Sequence, residues 1–139
     1  MSDEAIGGCL CGDVRYTVAR PLRDVVVCHC SLCRRAGTLA GAYTAAPRTA
    51  FRLEEQRGLA WYVDVNGRSR GFCRTCGSSL FWFDPARGSI SIAAGSLDSP
   101  TGLRTSAHIY LDSAADWEET GGDLPRHSQD IDSPRVERE

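Results

Sequence analysis

No lysine occurs in the 139-residue chain: all sixteen basic side chains are arginine. Chemistry that needs a lysine amine, as a Schiff base or a nucleophile, is therefore excluded. Nor does any apolar run approach the ~18 residues that a membrane-spanning helix requires. The first residues, Met1 to Ile6, show neither a basic n-region nor an apolar h-region, so the expectation is a cytoplasmic protein without a secretory signal. A surplus of positive charge is missing as well. With a net charge of −2 and a pI near 5.9, the chain has no electrostatic footprint for general nucleic-acid or anionic-membrane binding. Internal repeats and low-complexity tracts are also absent, which leaves an ordinary globular sequence.

What is present fits one domain, expected over residues 1–125, with a polar and aperiodic tail over 126–139. Apolar residues make up 42% and charged residues 24%, as in a soluble protein with a core of its own. Residues 13–19 alternate polar and apolar and read as a half-buried strand. Val25 to Cys28 reads as a short buried strand, and Ser31 as the N-cap of one or two helical turns closed by Gly37. Thr38 to Ala46 is small and apolar and reads as a further strand. Asn66-Gly67 between two apolar runs predicts a hairpin whose returning strand, 68–72, leads straight into Cys73. Ser79–Phe83 and Ser89–Ala94 predict a second strand pair, and Thr105–Leu111 a last strand. The chain therefore reads as mainly β, with one short helix after the second cysteine group.

Seven cysteines are the compositional outlier. They fall into three groups: Cys9-Leu-Cys11, Cys28-His-Cys30-Ser-Leu-Cys33 and Cys73-Arg-Thr-Cys76. A disulfide framework would leave one thiol over and suits an oxidising compartment, so it is the weaker reading. A thioredoxin-type redox site would need a βαβ setting that the sequence does not show. Zinc wants about four N or S donors, and the first and third groups together supply them: Cys9, Cys11, Cys73 and Cys76. The middle group supplies only Cys28, Cys30 and Cys33. Three protein ligands with one open position is the arrangement of a catalytic zinc; the alternative is a second closed site completed by His29 or His108. Arg34 and Arg35 are candidates to balance a thiolate centre or to orient a substrate carboxylate, and His29 is a candidate proton shuttle. Each of these three reads equally well as a solvated or packed side chain.

Taken together, residues 7–16 (Gly-Gly-Cys-Leu-Cys-Gly-Asp-Val-Arg-Tyr), 28–37 (Cys-His-Cys-Ser-Leu-Cys-Arg-Arg-Ala-Gly) and 72–80 (Phe-Cys-Arg-Thr-Cys-Gly-Ser-Ser-Leu) resemble the glutathione-dependent formaldehyde-activating family. His108-Ile109-Tyr110, Trp117 and Asp123-Leu124-Pro125 add a weaker match, so the resemblance spans roughly residues 5–125. It implies a zinc-bound β-tent of short antiparallel sheets with two zinc ions per chain. By position, Cys9, Cys11, Cys73 and Cys76 correspond to structural ligands, and Cys28, Cys30 and Cys33 to ligands of a catalytic zinc. The activity it implies is that of a carbon–sulfur lyase or synthase, similar to S-(hydroxymethyl)glutathione synthase, acting on a thiol such as glutathione and an aldehyde such as formaldehyde. The competing implication is a non-catalytic zinc-binding interaction module, since a centromere protein V-like domain shares the motifs. A β-rich chain with an uncovered edge strand can also pair with its own copy, so a homodimer is among the expectations.

Overall fold

The structure is a computed structural model that describes residues 2–37 and 39–133. Among these residues, ten strands and one α-helix follow in chain order: β1 (Glu4–Gly8), β2 (Arg15–Ala19), β3 (Val25–Cys28), α1 (Ser31–Gly37), β4 (Gly41–Pro47), β5 (Phe51–Glu55), β6 (Leu59–Val63), β7 (Ser69–Cys73), β8 (Ser79–Phe83), β9 (Ser89–Ala93) and β10 (Thr105–Ile109). The fold is mainly β with one short helix after the second cysteine group. No helix among the described residues is long and apolar enough to cross a membrane.

Two compact units make up the chain. One takes in the described residues up to Arg23 together with Thr44–Leu103; the other takes in Asp24–Tyr43 together with the described residues from Arg104 onward.

In the first unit, β1, β2 and β5 form an antiparallel sheet, and β9, β8, β7 and β6 form a second antiparallel ladder. Alternation drives both. Tyr16 and Val18 of β2 point inward and are fully buried, while Thr17 between them is half exposed. Ile90 and Ile92 of β9 are buried between half-exposed serines. The core closes on aromatic rings: Phe81 meets Tyr16 edge-on at 5.3 Å and Phe51 at 5.1 Å, and Trp61 stacks on it at 6.0 Å. The buried Tyr16 hydroxyl keeps a partner in Ser96 Oγ at 2.6 Å. Gly7 leaves the space that this hydroxyl occupies.

The Asn66-Gly67 hairpin forms, but its strands stop one or two residues from the expected turn. The carboxylate of Asp64 accepts the backbone N–H of Asn66 at 2.8 Å and of Arg68 at 3.1 Å. Gly67 takes the left-handed conformation, φ +78°. This is a longer loop with the glycine at its αL position: Asp64 N still donates to Arg68 O at 2.8 Å, while the Asp64 carboxylate takes the Asn66 and Arg68 amides.

In the second unit, β3 lies between β4, antiparallel, and β10, parallel. The parallel pair departs from the expectation of antiparallel sheets. Parallel neighbours need a long connection, and β3 and β10 lie far apart in the sequence. Val25, Val26 and Cys28 of β3 and Ala107 of β10 are buried. The strand expected over 105–111 ends at Ile109, because Tyr110 turns into the left-handed region at φ 56°.

Residues 126–133 of the segment read as a tail lie within the described structure. His127 N donates to His108 O at 2.9 Å, and Tyr110 N donates to Gln129 O at 2.8 Å. His127 is buried, with Nδ1 3.0 Å from Ser133 O. Residues 134–139 of that segment lie outside the described residues.

Candidate metal centres

The loop after β1 and the end of β7 bring four sulfurs together in the first unit. The Sγ atoms of Cys9, Cys11, Cys73 and Cys76 all lie within 4.8 Å of one another. Local hydrogen bonding shapes both loops. Cys9 N donates to Val14 O at 3.0 Å, and Val14 N returns to Cys9 Sγ at 3.2 Å. On the other side, Gly77 N donates to Cys73 O at 2.7 Å, with Gly77 at φ +81°. That conformation favours glycine and folds the Cys73-Arg-Thr-Cys76 turn tightly. Gly58 is required by packing, since a Cβ there would come 2.9 Å from Cys73 Sγ.

A zinc ion holding thiolates at ~2.3 Å sets neighbouring sulfurs about 3.8 Å apart in a tetrahedron. Cys9–Cys11 and Cys11–Cys73 are each separated by 3.7 Å, so the donors fit such an ion. Their ionisation is divided. The Ser78 hydroxyl and then its backbone N–H draw the Cys76 thiol down to about 5. The Asp13 N–H favours the Cys11 thiolate, but burial and the neighbouring sulfurs push Cys11 up to about 12. Burial acts to raise Cys9, and the Val14 N–H with the Cys11 and Cys73 thiols holds it below its usual value. A bound cation would displace the protons that remain on these packed sulfurs.

The second group is local. Cys28 ends β3, Cys30 lies between strand and helix, and Cys33 sits in the first turn of α1; their Sγ atoms also lie within 4.8 Å of one another. Arg34 N donates to Cys30 O at 2.9 Å, and Cys33 N donates to Cys30 Sγ at 3.2 Å. Cys30 therefore takes the N-cap position expected for Ser31, with sulfur in place of a hydroxyl. Thiol bonds from Cys28 and Cys33, with the Cys33 and Leu32 N–H groups, hold Cys30 far below its usual value. Cys28, giving its proton toward Cys30 and Cys33, is pushed far up. Gly41, opposite Cys28 in β4, leaves room for Cys33, whose Cβ would lie 3.2 Å from an added side chain.

Neither His29 nor His108 joins this group. His29 Nδ1 lies 2.6 Å from Glu118 Oε1, and His29 Nε2 lies 2.9 Å from His108 Nδ1. Glu118 is almost wholly buried, and its second oxygen accepts Ala115 N at 2.6 Å. Burial acts to raise its carboxyl, but the His29 hydrogen bond, the Ala115 N–H and the Arg34 charge hold it below the usual range. A carboxylate there requires His29 to donate from Nδ1. With a neutral ring, Nε2 accepts from His108 Nδ1–H, and His108 Nε2 ends the chain. His108 is lowered by burial, then by His29 and Arg126, which favours that neutral form.

Arg34 is half-buried, and its buried Nε has no hydrogen-bond partner among the described residues. Arg35 is exposed on α1. Sequence reasoning missed Glu118: Trp117-Glu118-Glu119 has no periodicity or spacing that marks a buried acid, and only the histidine it meets reveals it.

The family whose model is described as glutathione-dependent formaldehyde-activating enzyme matches residues 4–113. A crystal structure of a Rhodobacter sphaeroides protein is similar at 25% sequence identity and a TM-score of 0.57, covering 73% of this chain and 99% of that one. No curated protein matches the chain.

Proposed function

This chain belongs to the glutathione-dependent formaldehyde-activating family, and on that premise we propose that it makes or breaks a carbon–sulfur bond between a thiol and an aldehyde at the Cys28–Cys30–Cys33 group. The family's name points to glutathione and formaldehyde as the pair: thiolate carbon–sulfur addition, then one proton onto the new alkoxide, gives an S-hydroxymethyl thioether, and the reverse releases both. The proposed domain, expected over residues 1–125, takes in residues 126–133 as well, since their backbone bonds to β10 and its continuation, and we place it in a cytoplasmic protein.

In this reading Cys9, Cys11, Cys73 and Cys76 hold a closed structural zinc, and Cys28, Cys30 and Cys33 hold a second. Cys28, Cys30 and Cys33 would hold zinc there, which when bound would supply a Lewis acid and favour the thiolate form of a substrate thiol. The carrying observation is the donor count. Three thiols lie at metal-holding separation, while the two neighbouring histidines are engaged with each other and His29 also with Glu118. The chain's own residues complete the role. His29, held by Glu118, is assigned to proton movement together with His108. Arg34, with an unpartnered buried donor, is assigned to an acidic group of the substrate, with Arg35 beside it.

The test is exchange spectroscopy by NMR on zinc-replete protein with glutathione and formaldehyde. Catalysed exchange between free and S-hydroxymethyl glutathione is expected from the native chain and lost in Cys30→Ser. Exchange that persists in a folded Cys30→Ser variant would overturn the assignment.

A further inference from the structure

Strand β6 ends its ladder, and no strand among the described residues lies beyond it. Edge strands are ordinarily guarded by charge, proline or a bulge. This one, Leu-Ala-Trp-Tyr-Val, has none of these and pairs with β7 in unbroken register. Its side chains are open to solvent: Trp61 is 43%, Tyr62 59% and Val63 60% exposed, and Val65 just beyond is 97% exposed.

The backbone defines what the edge offers. Asp64 N donates to Arg68 O and Arg74 N donates to Gly58 O, each at 2.8 Å, at the two ends of the β6–β7 pair. Bonding alternates along an antiparallel ladder, so residues 58, 60, 62 and 64 face β7 and residues 59, 61 and 63 face away. Leu59 N already donates to Gln56 O at 3.0 Å. The N–H and C=O of Trp61 and Val63 therefore form a short, regular pairing edge.

We infer that this edge pairs antiparallel with β6 of a second copy of the chain, about a twofold axis at Tyr62. That register sets Trp61 opposite Val63 of the partner subunit twice over, giving four hydrogen bonds that use every N–H and C=O of those two residues. An axis at Trp61 would instead face Val63 C=O with the committed N–H of Leu59. With the axis at Tyr62, Tyr62 meets Tyr62 of the partner subunit as a non-hydrogen-bonded pair, the closer kind, on one face. Trp61 packs against Val63 of the partner subunit on the other. Asp64 falls opposite Ala60 of the partner subunit, so no like charges meet.

Area supports a second copy as the occupant. The four exposed side chains offer on the order of 500 Å² per chain, divided between the two faces of the sheet on either side of the open edge. Two such edges offer at most about 1,000 Å² in total, the size at which specific interfaces begin.

Sedimentation velocity on the zinc-replete full chain, from about 1 to 200 µM, tests this. The native chain is expected to reach twice its 15.1 kDa mass within that range. Val63→Lys places a charge in the interface. Val63→Pro removes an outward N–H without touching the β6–β7 ladder. Both are expected to weaken association at least ~10-fold while keeping their zinc. A native chain that stays monomeric, or a dimer that survives both folded substitutions, overturns the inference. Should the variants misfold, amide exchange on the native chain decides. Concentration-dependent protection at Trp61 and Val63, with none added at Ala60 and Tyr62, supports the pairing; exchange indifferent to concentration overturns it.

Discussion

The four-cysteine group draws sulfurs from loops far apart in the sequence, with Cys11 and Cys73 62 residues apart. The three-cysteine group takes all of its sulfurs from six consecutive residues at one strand–helix junction. A metal in the first group would close a long loop of the unfolded chain and tie β1 to β7, so its binding free energy becomes folding free energy. A metal in the second closes almost no loop, because β3 and α1 already place those sulfurs through ordinary backbone bonds. The surroundings differ in the same sense. The first group is framed by turns, Ser78 and close glycine contacts. The second has a buried carboxylate, two bonded histidines and an arginine with an unpartnered donor. One group reads as a clamp, and the other as a site whose support is independent of its metal.

The largest expected effect breaks the clamp. Cys73→Ser should lower stability by several kcal/mol, within the ~10 kcal/mol that structural zinc can supply. Urea denaturation should find it largely unfolded at 37 °C, where Cys30→Ser remains folded. Equal losses in the two variants would erase the distinction between the groups.

Glu118→Ala strips the acceptor from His29 Nδ1 and Ala115 N in the second unit. Two buried donors left unpaired should cost about 2–3 kcal/mol, read from the urea midpoint. A loss below ~0.5 kcal/mol would mean that Glu118 does not anchor His29.

Tyr16 sharpens the account of the first unit by pH. Burial first, with the Asp98 charge adding and the Ser96 hydroxyl opposing, raises its phenol from 10.0 to about 12. The unfolded chain loses this proton near 10 and the folded chain only near 12, so the stabilisation is full below pH 10 and is lost as pH rises between them. The loss is on the order of 2–3 kcal/mol, and Tyr16→Phe should remove this part of the alkaline slope in denaturant titrations. An unchanged slope would place the titration elsewhere.

The smallest effect is expected at Asp64. Asp64→Ala takes two turn amides off their carboxylate and should cost about 1 kcal/mol, with zinc content unchanged. A loss of zinc would show that the hairpin turn, rather than the loops around the sulfurs, sets the position of Cys73.

Much of this comparison was legible in the sequence. The cysteine spacing separates four ligands from three, Asn66-Gly67 marks the hairpin that delivers Cys73, and β8 falls where its apolar run lies. The misses have physical causes. In β1 the alternation is inverted to the eye: Ile6 is 48% exposed while Ala5 is buried, so the large residue faces outward. In β5 the apolar positions are only half-buried, and Arg52 and Glu54 pair on the open face. The parallel β3–β10 pair joins segments that no local pattern connects. Glu118 is buried by its histidine partner, which is 89 residues away. Residues 126–133 are polar because their backbone, rather than their side chains, makes the contacts with β10 and its continuation.

The central claim is that one group holds the fold and the other is free for chemistry. Native mass spectrometry of the zinc-loaded chain and its Cys30→Ser and Cys73→Ser variants tests it most directly. The account predicts two zinc ions in the native chain, one in a folded Cys30→Ser protein, and loss of the compact charge-state distribution in Cys73→Ser. A single zinc in the native chain, or a Cys30→Ser variant that unfolds as Cys73→Ser does, would contradict it.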